Sequence, residues 1–185
     1  NKKNPDAPFA FLATYAPQVN AQGRLRYQPL GKALQEYAGT KNKKVLIHLL
    51  TPVQRATEKS KLIKKLVESG DIYHPLAWTP REAYTFLQEA PLYEESGILV
   101  RLPDWWRKRA RPRVSVAIGS QHKSTLGIDT LLDFNMRIAV GDTEILPSEW
   151  EELAQNDNGL VCFKNQWIEV DRDQIRQALA HWKRI

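Results

Sequence analysis

Phe134-Asn135-Met136-Arg137-Ile138-Ala139-Val140-Gly141-Asp142-Thr143-Glu144-Ile145-Leu146 is the stretch that decides how the chain folds. Phe134, Met136, Ile138 and Val140 recur at every second position, the pattern of a strand with one buried face. Gly141-Asp142 supplies a two-residue turn, and residues 143–146 return as the second strand of a hairpin. Upstream, Val114, Val116 and Ile118 alternate in the same way. Downstream, residues 160–163 and 167–170 flank Lys164-Asn165-Gln166 and read as another hairpin. Residues 98–102 and 9–15 are shorter, more apolar strand candidates.

The first half of the chain is written with a helical period instead. Four segments open like capping boxes, in which side chains at N-cap and N3 satisfy orphan backbone donors. Thr51-Pro52-Val53-Gln54 begins a helix whose Val53, Ala56, Ile63 and Val67 form an inward stripe, stopped by Gly70. Thr79-Pro80-Arg81-Glu82 begins a second, which buries Ala83, Phe86, Leu87 and Ala90 and ends before Pro91. Ser148-Glu149-Trp150-Glu151 and Asp171-Arg172-Asp173-Gln174 begin two more. Shorter helices are expected over residues 30–38 and 44–50. Helices early and antiparallel hairpins late specify an α+β fold, with a helical N-terminal half and hairpins with packed helices in the C-terminal half. Residues 1–70 read as a mainly helical lobe and 71–185 as an α+β lobe, or the two make one continuous domain.

The chain has 185 residues, 42% apolar and 26% charged, which excludes disorder over most of its length. No apolar run approaches the ~20 residues needed to cross a bilayer, so no membrane partner is expected. The single cysteine, Cys162, excludes an internal disulfide framework and fits a reducing, cytoplasmic setting. Asn1 is not an initiator methionine and the last helical pattern still runs at Ile185, so the chain reads as a piece of something longer.

Charge is segregated. Residues 41–65 hold eight bases and one acid, residues 101–113 six bases and one acid, and residues 142–173 nine acids and two bases. Such fields steer polyanions. In the second segment Trp105 and Trp106 abut a run of cations, Arg107, Lys108, Arg109, Arg111 and Arg113, with Arg101 just upstream. Guanidinium forks fit phosphate, and an exposed indole offers a base a stacking face. Trp105 and Trp106 are expected to point opposite ways, leaving Trp106 as the candidate contact. Lys41, Lys43, Lys44, Lys61, Lys64 and Lys65 form the other candidate nucleic-acid surface.

Catalytic chemistry finds little support. Gly119-Ser120-Gln121-His122-Lys123-Ser124 has His122 where a phosphate loop needs glycine, so it is not expected to bind ATP. His48, His74, His122 and His181 lack metal-ligand spacing, and no metal is expected. Asp129 with Asp133, or Glu94 with Glu95, are ordinary surface carboxylates.

Several blocks resemble one family. They are Pro8-Phe9-Ala10-Phe11-Leu12-Ala13-Thr14-Tyr15, Leu76-Ala77-Trp78-Thr79-Pro80, residues 97–106 ending in Pro103-Asp104-Trp105-Trp106, Leu126-Gly127-Ile128-Asp129 with Leu132-Asp133-Phe134, and Trp167-Ile168-Glu169-Val170-Asp171. Together they resemble the accessory region N-terminal to the ATPase core of bacterial SWI/SNF-type proteins, in helicase superfamily two. The resemblance implies a parent that hydrolyses ATP and works on DNA, with ATP and Mg²⁺ held in its motor lobes and no cofactor in this region. No catalytic residue carries over, because none of the motor motifs occurs here. The expected partners are DNA, duplex ahead of single strand, and the parent's own ATPase core. The rival expectation is a module that docks on that core or on another subunit and restrains it.

Overall fold

The structure, a computed structural model, describes residues 4–16, 26–39, 43–109, 112–118, 134–141, 143–157 and 159–173. The chain divides into two compact units, Asn1–Leu102 and Pro103–Ile185.

The first unit carries β1 (Phe9–Phe11), β2 (Thr14–Tyr15), β3 (Gln28–Pro29), α1 (Leu30–Gly39), α2 (Lys43–Lys59), α3 (Lys61–Ser69), a 3-10 turn at Asp71–Tyr73, β4 (Leu76–Trp78) and α4 (Pro80–Glu95). β1 pairs antiparallel with β4, setting Phe9 opposite Trp78, and β2 pairs with β3. The expected strand over 9–15 is therefore two strands, because its halves find different partners. Its break falls at Leu12 and Ala13, and the Ala13 carbonyl accepts from Leu30 N–H at 2.9 Å.

Helix boundaries differ from the sequence reading for definite reasons. α2 begins at Lys43 and runs through Thr51-Pro52. Thr51 does not cap it; its hydroxyl donates back to the Ile47 carbonyl at 2.6 Å inside the helix. The chain restarts at Ser60, whose Oγ accepts from Ile63 N–H at 3.1 Å and caps α3. The third residue of α3 is Ile63 rather than an acid, so no capping-box signature marks this start. Gly70 ends α3 in the left-handed region at φ 81°, as expected of a glycine stop. α4 has the expected reciprocal cap: Thr79 N–H donates to Glu82 Oε2 at 2.9 Å, and Glu82 N–H to Thr79 Oγ1 at 3.3 Å. It continues past Pro91 because the turns on either side bury Leu87, Ala90 and Tyr93. That burial outweighs the one backbone bond proline removes.

The core of this unit joins Ala56, Ile63, Leu66, Ile72, Trp78, Ala90, Tyr93 and Val100, with Phe9, Phe11 and Phe86 packed on it. Phe11 stacks on Trp78 at 4.3 Å, and Phe86 meets Phe11 edge-on at 5.6 Å. Ile72 lies within this core, so the segment around Gly70 is a turn inside one unit and the division falls after Leu102. Residues 98–102 form no strand; Val100 plugs the core while Leu99 and Arg101 point outward. Gly31 lets α1 approach the 3-10 turn, since a Cβ there would lie 2.6 Å from the Tyr73 carbonyl oxygen.

The second unit carries α5 (Asp104–Arg107), β5 (Pro112–Ile118), β6 (Phe134–Val140), β7 (Thr143–Ile145), α6 (Pro147–Gln155), β8 (Leu160–Phe163) and β9 (Gln166–Glu169). β5, β6 and β7 form an antiparallel sheet in that order, with Ile118 opposite Phe134 and Val140 opposite Thr143. Gly141 turns the β6–β7 hairpin at φ 59°. The β8–β9 turn is two residues, Lys164 and Asn165, both at positive φ, and Gln166 belongs to the strand opposite Phe163. α6 starts at Pro147 rather than after Ser148, and Glu149 reaches back to accept from Leu146 N–H at 2.9 Å. Among the described residues Val140, Ile145, Leu153, Ile168 and Val170 form a core cluster. The fold is α+β. Most of the helix expected from Asp171, and the segment with His122, Asp129 and Asp133, lie outside the described residues.

Candidate nucleic-acid interface

The cationic stretch at the start of the second unit is divided by packing. Trp106 is 6% exposed and meets Trp105 edge-on at 6.1 Å. Above it lies Arg109, its Cζ 3.6 Å from the ring centroid. Arg109 Nε donates to Glu169 Oε2 at 2.5 Å and Nη1 to the Trp106 carbonyl at 2.7 Å. The Glu169 side chain is only 8% exposed, and a buried carboxylate needs a cation. Trp106 and Arg109 are thus internal struts, a correction to the expectation that both face a ligand. Trp105 is the half-buried indole of the pair.

Arg107 and Lys108 are exposed. Arg111 lies outside the described residues, and Arg113 stands in β5 with its side chain outside them. In the first unit Arg101 is exposed, its guanidinium 4.1 Å from the Tyr27 ring centroid. That stack limits the side chain's freedom and leaves its N–H edges able to meet an anion.

The helical cations form the other surface. Lys61, Lys64 and Lys65 occupy one exposed face of α3, opposite buried Ile63 and Leu66. Lys64 has Glu68 at 3.9 Å, one turn on. Lys43 and Lys44 are exposed in the first turn of α2, whereas Lys41 lies outside the described residues. Arg55, not singled out from sequence, is exposed eleven residues after Lys44, about 16 Å along the same helix face. The i+11 spacing was the signal that would have found it. Lys43, Lys44, Lys61 and Lys64 oppose their own helices: α2 and α3 have cations and no acid in the first turn, and α3 ends with Glu68 in the last. Each such placement forgoes about 0.3–1 kcal/mol of dipole stabilisation. Helix stability therefore does not account for them.

The acidic stretch is partly neutralised from within. Glu149 pairs with Lys164 at 3.3 Å, and Asp157 with Arg172. The Leu146 N–H, and then Lys164, hold the Glu149 carboxyl below its usual value. Glu144, Glu152 and Asp173 are exposed. Among the described residues no three His, Cys, Asp or Glu side chains gather as a metal site. No helix among them is long and apolar enough to cross a membrane.

A family model described as SNF2 Helicase protein matches residues 71–185. The chain belongs to this SNF2 helicase family. The match agrees with the family implied by the sequence blocks. The Bacillus subtilis (strain 168) protein YwqA, named as an ATP-dependent helicase/translocase, is 32% identical over 101 residues. That alignment covers 52% of this chain and 11% of YwqA, so the chain corresponds to a small part of that relative. No solved structure matches the chain. The SNF2-family segment contains Arg101, Arg107, Lys108 and the Trp106–Arg109–Glu169 strut, while the lysines of α2 and α3 precede it.

Proposed function

We propose that this chain is a non-catalytic accessory region of a cytoplasmic SNF2-type ATP-dependent DNA motor, and that it helps engage duplex DNA or position the motor on it. The observation that carries this reading is the set of exposed cations, Arg101, Arg107, Lys108, Lys61, Lys64 and Lys65, of which Lys61 and Lys64 stand against the dipole of α3 in its first turn. Contacts of this kind reach phosphates, so binding is tolerant of sequence and falls steeply with salt. ATP and Mg²⁺ belong to the motor lobes of the longer protein.

The test is a titration of labelled duplex against the chain from about 50 to 200 mM salt. Alanine at Arg107, Lys108, Lys61, Lys64 and Lys65 flattens the slope of log affinity against log salt. No binding at the lowest salt ends the DNA reading. The exposed carboxylates Glu144, Glu152 and Asp173 favour a second reading, docking on the motor core as a restraint. In the longer protein, deleting a DNA-engaging region raises the DNA concentration needed for ATP turnover. Deleting a restraint raises turnover without DNA.

A further inference from the structure

We propose that Trp105 and Trp167 form an aromatic shelf that stacks an unpaired DNA base, with Lys108 beside it for the adjoining phosphate. The inference rests on the DNA-engaging reading above and adds single-stranded DNA to its substrate class. Trp105 comes from α5 and Trp167 from β9, and packing brings their ring centroids to 6.5 Å with the planes 35° apart. Both residues are half-buried.

The support beneath the shelf is built. Trp106 meets Trp105 edge-on, and Arg109 ties the Trp106 carbonyl to Glu169 on β9. Strand side chains alternate, so Glu169 lies on the same face of β9 as Trp167. Arg109 compensates that carboxylate, which would otherwise repel a phosphate at the shelf. Lys108 is exposed and follows Trp105 by three residues, which places the two side by side on a helical turn. Arg107, two residues from Trp105, projects elsewhere and serves backbone further along the strand.

Every base has a π face, so indole stacking accepts any base and adds to phosphate contacts. Bases inside a duplex are stacked on one another and cannot reach an indole. The shelf therefore takes a base from a single strand or a frayed end.

Cys162 provides a reporter in the unaltered chain. It is exposed, is the one cysteine, and stands opposite Trp167 in the hairpin register. Oligothymidylate is expected to slow alkylation of Cys162 several-fold, whereas an abasic oligonucleotide of equal length leaves the rate unchanged. Oligothymidylate should also bind about tenfold more tightly than the abasic strand, with the same salt slope because the phosphates are equal in number. Trp105→Ala and Trp167→Ala each bring that ratio close to one. If either variant fails to fold, the two oligonucleotides on the unaltered chain decide the matter alone. Equal affinities without protection of Cys162 overturn the shelf, and continued duplex binding then leaves the phosphate-contact reading standing. Failure of duplex and both oligonucleotides to bind at low salt overturns both.

Discussion

The two units spend similar residues differently. In the first, aromatic rings fill a broad core and the lysines of α3 and the first turn of α2 stand outside it. Among the described residues of the second, Val140, Ile145, Leu153, Ile168 and Val170 cluster with Phe163 packed against them, and Arg109, Lys164 and Arg172 are engaged by Glu169, Glu149 and Asp157. A run of cations in sequence is therefore no measure of cations available to a partner. Arg109 is held by a buried carboxylate, whereas Lys61, Lys64 and Lys65 stand on an exposed helix face.

The largest expected effect breaks the strut. Arg109→Ala leaves Glu169 buried without a partner and strips the cation from Trp106, which should cost about 3 kcal/mol in urea unfolding. A loss below about 1 kcal/mol would return Arg109 to the pool of ligand-binding cations and erase the contrast.

Among its described residues the first unit has a comparable polar device. Ser60 caps α3 and donates to Glu89 Oε2 at 2.5 Å, which also accepts from the Tyr93 hydroxyl at 2.7 Å. Ser60→Ala removes the cap and one partner of a carboxylate, an expected loss of about 2 kcal/mol by the same measurement.

Next comes a pH effect confined to the first unit. Burial, with Glu89 adding to it and the Ser60 bond partly offsetting it, pushes the Tyr93 hydroxyl above its usual 10.0. Because the folded value lies above the unfolded one, this contribution is complete below pH 10 and declines as pH rises beyond it. One proton corresponds to at most about 1.4 kcal/mol per pH unit. Stability measured between about pH 9.5 and 11 should fall faster in the unaltered chain than in Tyr93→Phe. Parallel curves would show that Tyr93 does not titrate differently on folding.

The smallest effect sharpens the contrast most. Lys61→Glu puts an acid in the first turn of α3 and should stabilise it by about 0.5 kcal/mol while weakening duplex binding. Lys61, Lys64 and Lys65 changed together to alanine should lower the salt slope by about 3 and move stability by less than about 0.5 kcal/mol. If stability falls with binding, these lysines belong to the structure as Arg109 does.

Local pattern was enough for several of the elements. The alternation in 112–118 and 134–140, the Gly141 turn, the Thr79–Glu82 cap and the Gly70 stop each concern residues a few positions apart, so neighbours in sequence carry the signal. The α+β class and the family blocks were legible for the same reason. Pairing was not. Sequence showed no strand at Leu76–Trp78 to pair with Phe9–Phe11, placed a helix start at Thr51 instead of Ser60, and left open whether a division near Gly70 or one continuous domain holds the core that runs through Ile72.

The interface divides along the same line. Composition and spacing by themselves determined that residues 41–65 and 101–113 are cationic, that two indoles abut the second run, and that Lys61, Lys64 and Lys65 share a helix face. Only the tertiary structure decided that Trp106 goes inward, that Arg109 answers a carboxylate sixty residues away, and that Trp105 meets Trp167. The reason is physical: a helix or strand period follows from covalent geometry, whereas a buried charge chooses its partner by whichever cation the packed chain brings within reach.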